Sequence, residues 1–139
     1  MTSFVVPLDT VLSVYRGSPY QERFRGLITN QDAWSALWSY VAKNYPLDRA
    51  VPRIDFDQFQ LLVVAPGSPG HASTSLSVRD SAAARHVYVR TNRNGPNCLE
   101  TTDIQRPVHV VRMPRSSAPL VYHDTTVVDD CPPFNPRDP

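Results

Sequence analysis

The sequence predicts an α+β fold, mostly antiparallel β arranged as a sheet or small sandwich, with one amphipathic helix packed on it. Three observations carry this. Apolar residues recur at helical spacing in one stretch only, near residues 31–44. Short runs rich in β-branched and aromatic residues lie before and after it. Fourteen prolines against five glycines then require many short elements with stiff connectors, because proline neither donates to a ladder nor continues a helix. That excludes a helical bundle.

The elements follow in order. Val11–Arg16 is rich in strand formers and is closed by the turn residues Gly17-Ser18-Pro19. Arg23–Thr29 reads as a second strand. Thr29, Asn30 and Asp32 carry side-chain oxygens suited to a helix start. In the helix, Trp34, Leu37, Trp38 and Val41 fall at i, i+3, i+4 and i+7, and Pro46 follows as a stop. Trp34 and Trp38 are expected to pack in the core, since each indole buries a large area and needs one partner for its N–H. Ile54-Asp-Phe-Asp57 alternates and leads into Phe59–Ala65. That run shows little alternation, as suits a central strand covered on both faces. Asp55 is expected to accept backbone N–H groups at the strand entrance, with Phe56 beside it in the core. Thr74–Val78, Arg85–Arg90, Pro107–Met113 and Leu120–His123 complete a predicted antiparallel meander. One domain is expected over residues 1–128, followed by an irregular proline-rich tail at 129–139.

Composition narrows the function classes. Apolar residues make up 41% of the 139-residue chain, enough for a real core. No run approaches the roughly 18 apolar residues of a membrane-spanning helix. The net charge is +1, with acids and bases interspersed, so no electrostatic footprint for nucleic acid or an anionic membrane is present. Thirteen of the fourteen basic residues are arginine, which reads as genome composition rather than a binding device. Cys98 and Cys131 lie in proline-rich, loop-like surroundings rather than inside apolar strands, so a disulfide tying the tail to a loop is expected. It implies an oxidising compartment. Met1–Pro7 lacks the basic start and the apolar length of a signal peptide. The chain is therefore read as cytosolic or as a mature form without its leader, and the cysteines favour the second.

Candidate chemistry is sparse. His86 and His109 fall mid-strand and are placed where they could face each other, and a carboxylate such as Asp80 or Asp103 would complete a zinc site. The spacing matches no established metal motif. His123-Asp124 beside Thr125 and Thr126 supplies pieces of a nucleophile triad without its context. Asp55 and Asp57 would share a strand face as paired carboxylates. Arg85, Arg90, Arg93, Arg106, Arg112 and Arg115 with Tyr88 and Tyr122 sketch a single-strand nucleic-acid face that the charge balance opposes. The stiff loop Pro66-Gly-Ser-Pro-Gly-His71 is the first choice for recognition, since docking a stiff loop loses little entropy. Its candidate contacts are Pro66, Ser68, Pro69, Gly70 and His71. The loop holding Arg93 and Asn94 is the second.

The assembled motifs resemble the PrcB family, named for a bacterial protease-complex subunit, through its C-terminal domain. The matching residues are Trp34-Ser-Ala-Leu-Trp38, Pro52-Arg-Ile-Asp-Phe56, Leu61–Ala65, Gly67, and Thr102 with Pro107, Val110, Val111 and Pro114. The likeness spans about residues 26–121. It departs at Gly70-His71-Ala72, where the family tends to carry glycine-glycine-tyrosine. The resemblance implies an extracytoplasmic, often lipid-anchored accessory protein that binds another protein and performs no chemistry. The expected function is thus a non-catalytic periplasmic, cell-surface or secreted domain without a cofactor. Its protein partner would be a secreted protease or other hydrolase, held as an accessory subunit or inhibited. The alternative is a metal- or small-ligand-binding module using His86, His109 or His123.

Overall fold

The computed structural model describes residues 3–16, 18–44, 46–67, 72–95, 98, 106–129 and 131. These form β1 (Phe4–Val5), β2 (Asp9–Val14), β3 (Phe24–Ile28), α1 (Gln31–Asn44), β4 (Phe59–Ala65), β5 (Ala72–Asp80), β6 (Arg85–Asn94), β7 (Val108–Pro114) and β8 (Leu120–Asp129). The strands make two four-stranded sheets. One, the covered sheet, has the order β2-β7-β4-β3; the other, the outer sheet, has the order β1-β5-β6-β8. The helix lies on the covered sheet, and the outer sheet packs on its opposite face. The result is a three-layer α+β fold.

The helix begins where Asn30 Oδ1 accepts the Ala33 N–H at 2.8 Å, so Asn30 is the N-cap among the three candidate residues. Asp32 in the first turn and Lys43 in the last suit the helix dipole. Trp34, Leu37, Trp38 and Val41 are buried against Leu12, Val14, Leu61, Val63, Ala65, Val108 and Val110 of the covered sheet. The Trp34 indole N–H donates to the Pro52 carbonyl at 2.9 Å, and Gln31 Oε1 accepts the Ile54 N–H at 3.2 Å. Both bonds fasten the connector to the helix.

A second core lies between the sheets, where Leu62, Val64, Val111 and Met113 meet Val6, Val78, Val87 and Val89. Strand β4 serves both cores: odd residues face the helix and even residues face the outer sheet, which accounts for its unbroken apolar run. Arg85, only 3% exposed, pins the two sheets together. Its guanidinium bonds both Asp80 carboxylate oxygens, at 2.7 and 2.9 Å, and the Pro114 carbonyl. Its N–H donates to the Pro119 carbonyl at 2.9 Å.

Three expectations change. The strands are not a simple meander: β7 crosses to the covered sheet, and β8 returns to lie parallel to β6. Ile54–Asp57 is not a strand: the chain is irregular through Asp55 and turns at Phe56–Gln58. Asp55 Oδ1 accepts the Asp57 N–H at 3.1 Å and the Asp55 carbonyl accepts the Gln58 and Phe59 N–H groups, so Asp55 and Asp57 share no strand face. Finally, β8 runs to Asp129, well past His123. Cys131 is joined to Cys98 with Cα atoms 4.9 Å apart, and Gly95 N–H donates to the Asp129 carbonyl at 2.8 Å beside it. Residues 132–139 lie outside the described residues. No helix among the described residues is long and apolar enough to cross a membrane.

Candidate functional site

The space between the sheets is filled at one end and open at the other, and side-chain chemistry is the reason. Going along the inward face of β6, Val87 and Val89 give way to Thr91 and Arg93; on β5, Val78 and Leu76 give way to Thr74. On β7, Met113 and Val111 give way to His109. Short hydroxyl side chains cannot fill the roughly 10 Å between packed sheets, and arginine and histidine heads seek water. Two cavities result, and Thr74 lines both.

The larger is a groove of about 460 Å³ between β2 and β5. Leu8, Leu76 and Val111 give it an apolar floor, while Thr10, Ser13, Tyr15, Ser75 and His109 give it polar walls. It exists because β1 is so short: its register covers only Arg79 and Asp80. Val6 N–H donates to the Val78 carbonyl at 2.9 Å, so the backbone groups of Val78 point toward β1. Alternation along the strand sends those of Leu76 and Thr74 the same way. Beyond Val78 the described residues supply no strand to meet them, and this edge of β5 borders the groove.

Ser13 and His109 are cross-strand partners in the β2–β7 register, which places Ser13 Oγ 2.9 Å from His109 Nδ1. Among the described residues no carboxylate lies within hydrogen-bonding distance of His109, so the pair lacks the group that would orient and charge-stabilise a catalytic imidazole. Burial pushes the His109 pKa down from its ordinary value. The unfolded chain therefore takes up this proton at a higher pH than the folded one. The contribution of neutral His109 is complete above about pH 6.5 and is lost as pH falls through the lower folded pKa. His109→Gln should flatten this part of the stability profile; urea midpoints at neutral and mildly acidic pH that fall as steeply in the variant as in the parent would reject the assignment.

The smaller cavity, about 90 Å³, opens between β3 and β8 and is lined by Arg23, Arg25, Pro66, Thr74, Thr91, Arg93, Asp124 and Thr126 among others. Arg25 is held there by Asp124, whose carboxylate accepts from both terminal guanidinium nitrogens, Nη1 at 2.9 Å. Its guanidinium also lies 5.1 Å from the centre of the Tyr122 ring. The Arg25 hydrogen bond holds the Asp124 carboxyl below the usual carboxylate range, working against its partial desolvation. Gly67 turns the chain after β4 with φ of 85°, and a Cβ there would stand 2.6 Å from the Arg23 backbone nitrogen. Only glycine allows the chain to close against Arg23 at this point.

Of the residues expected to meet a partner, Pro66 and Arg93 line this second cavity together. Asn94 ends β6 and is exposed. Ser68, Pro69, Gly70 and His71 lie outside the described residues, as does Asp103. Trp34 and Trp38 are core residues whose rings meet edge to face at 5.5 Å, and Phe56 packs half-buried on that core.

The histidines are arranged otherwise than expected. His86 and His109 are on different sheets and do not face each other. His86 Nδ1 is instead 2.9 Å from His123 Nε2, because β6 and β8 are neighbours, and Tyr88 stacks on His123 with ring centres 4.6 Å apart. Asp80 is engaged by Arg85 rather than by either imidazole. No group of three or more metal-ligating side chains occurs among the described residues. His123 and Asp124 point to opposite faces of β8, so they cannot cooperate. The arginines of the second half do not form one surface either: Arg85 is buried on Asp80, Arg112 bonds Asp9 at 2.7 Å, and Arg115 bonds the Phe56 carbonyl at 2.7 Å.

Sequence reasoning missed Ser13, Thr74, Arg23 and Arg25. A signal for the last two was present, since residues two apart in a strand share a face, and a pair of arginines there marks an inward-facing polar end. No family model matches this chain, and no curated protein or solved structure matches it either.

Proposed function

We propose that this chain is a non-catalytic, extracytoplasmic protein-binding domain that accepts an extended segment of its partner along the β5 edge that no strand among the described residues meets. The carrying observation is the pairing of that unmet edge with a groove of apolar floor and hydroxyl-lined walls. A guest strand would gain main-chain hydrogen bonds from Thr74 and Leu76. Its alternate side chains would enter the groove over Leu8, Leu76 and Val111, as in other strand-addition complexes. The disulfide supports an oxidising location. The PrcB resemblance supports an accessory subunit or an inhibitor, with a secreted protease or other hydrolase as the partner class.

Thr74→Pro tests the mode of binding. It removes a donor aimed at the guest and leaves the β5–β6 ladder its own donors, and proline is tolerated on edge strands. Linear peptides selected against the parent from a random phage-displayed library should lose at least tenfold in affinity for this variant. Selected peptides that bind both proteins equally would dismiss strand addition.

A further inference from the structure

We infer that the arginine-lined cavity between β3 and β8 is a binding site for a tetrahedral oxyanion, the phosphate or sulfate class. This does not rest on the strand-addition reading, because the cavity lies across Thr74 from the groove. Three guanidinium side chains, Arg23, Arg25 and Arg93, line the same small space with one carboxylate, Asp124. That carboxylate is already committed to the two terminal nitrogens of Arg25. Arg23 lies close enough to Asp124 to help hold its carboxyl down, though it makes no hydrogen bond to it, and Arg93 has no ion-pair partner among the described residues. The cavity therefore keeps an excess of positive charge, with Arg25 largely buried and Arg23 and Arg93 open to water beside it.

Two buried polar atoms on its lining are left without partners: Arg25 Nε and Thr74 Oγ1. Buried donors are normally satisfied, and an acceptor group entering this cavity would be within the surroundings of both atoms. An oxyanion is such a group, since it accepts several charge-assisted hydrogen bonds at once. The tetrahedral class fits better than a carboxylate. The donors come from both walls, Arg23 and Arg25 from the covered sheet side and Arg93 and Thr74 from the outer sheet, so acceptor oxygens must spread in three dimensions. A planar carboxylate is satisfied by one guanidinium, as Asp124 is by Arg25. The volume of about 90 Å³ equals roughly three waters' share of the liquid. That leaves room for a small anionic group.

The test is an NMR titration of the full chain with inorganic phosphate, sulfate, acetate and chloride at constant ionic strength, following the arginine Nε–H resonances. Phosphate or sulfate should saturate a single site and move the Arg25 Nε–H signal. Arg23→Gln combined with Arg93→Gln should weaken that binding at least tenfold. Both side chains are exposed, so the melting temperature without added anion should stay at its parental value and report that the fold is intact. Shifts that climb linearly and match those of chloride would overturn the site. Acetate saturating as tightly as phosphate would overturn the tetrahedral assignment. Unchanged affinity in the double variant would overturn the role of the arginines.

Discussion

Trp34→Ala should destabilise the fold by about 3–5 kcal/mol, a large part of the whole stability of a domain this size. The indole is fully buried, at 0% exposure. It lies under the covered sheet with Leu61, Val63 and Val110 and meets Trp38 edge to face. Truncation to alanine leaves a void that neighbours on a helix and a rigid sheet cannot collapse to fill. It also strips the half-buried Pro52 carbonyl of its indole donor, leaving it the longer bond from Gln31 Nε2 at 3.4 Å. Trp34→Phe separates the two effects: it keeps most of the apolar area, loses the N–H, and should cost about 1–2 kcal/mol by the hydrogen-bond part. Urea unfolding followed by circular dichroism provides the measurement. A loss below about 1 kcal/mol for Trp34→Ala would mean that the helix is not clamped through this side chain.

Removing the disulfide ranks second. Cys98 and Cys131 are 33 positions apart, and in the chain-entropy account closing a loop of that length is worth on the order of 3–4 kcal/mol. The bond joins the segment after β6 to the residue two beyond the end of β8, beside the Gly95–Asp129 hydrogen bond. It therefore guards the far end of the parallel β6–β8 ladder, where β8 has a neighbour on one side only among the described residues. Cys98→Ser with Cys131→Ser should lower the melting temperature by on the order of 10 °C, and reductant should do the same to the parent. Intact mass should rise by two protons on reduction. Equal melting curves with and without reductant would show that the loop is closed without it.

The limits of the sequence reading fall at identifiable residues. The helix was legible because Trp34, Leu37, Trp38 and Val41 repeat at a period that only a helix turns into one face. The double burial of β4 was legible because Leu61–Ala65 carries no polar alternation. The cysteine pairing followed from there being two cysteines in loop-like surroundings. The polar end of the sandwich was not legible. Arg25 and Asp124 are 99 positions apart, and Ser13 and His109 are 96 apart. Neither member of either pair has a local pattern that announces the other. Proximity in sequence also misled: His123 and Asp124 are adjacent and face opposite ways, while His86 and His123, 37 apart, touch.

Local periodicity decided the helix, most of the longer strands and which of their faces turns inward, since alternation is a property of a single segment; it misread Ile54–Asp57 and passed over β1. It left open which strand lies beside which. Valine- and threonine-rich edges are nearly interchangeable as ladder partners, so the choice is made by the sum of packing across layers and by the reach of the connections. The three-dimensional arrangement alone sent β7 to the covered sheet, brought β8 back parallel to β6, and stopped β1 short. Those three decisions create the groove, the arginine cavity and the histidine pair.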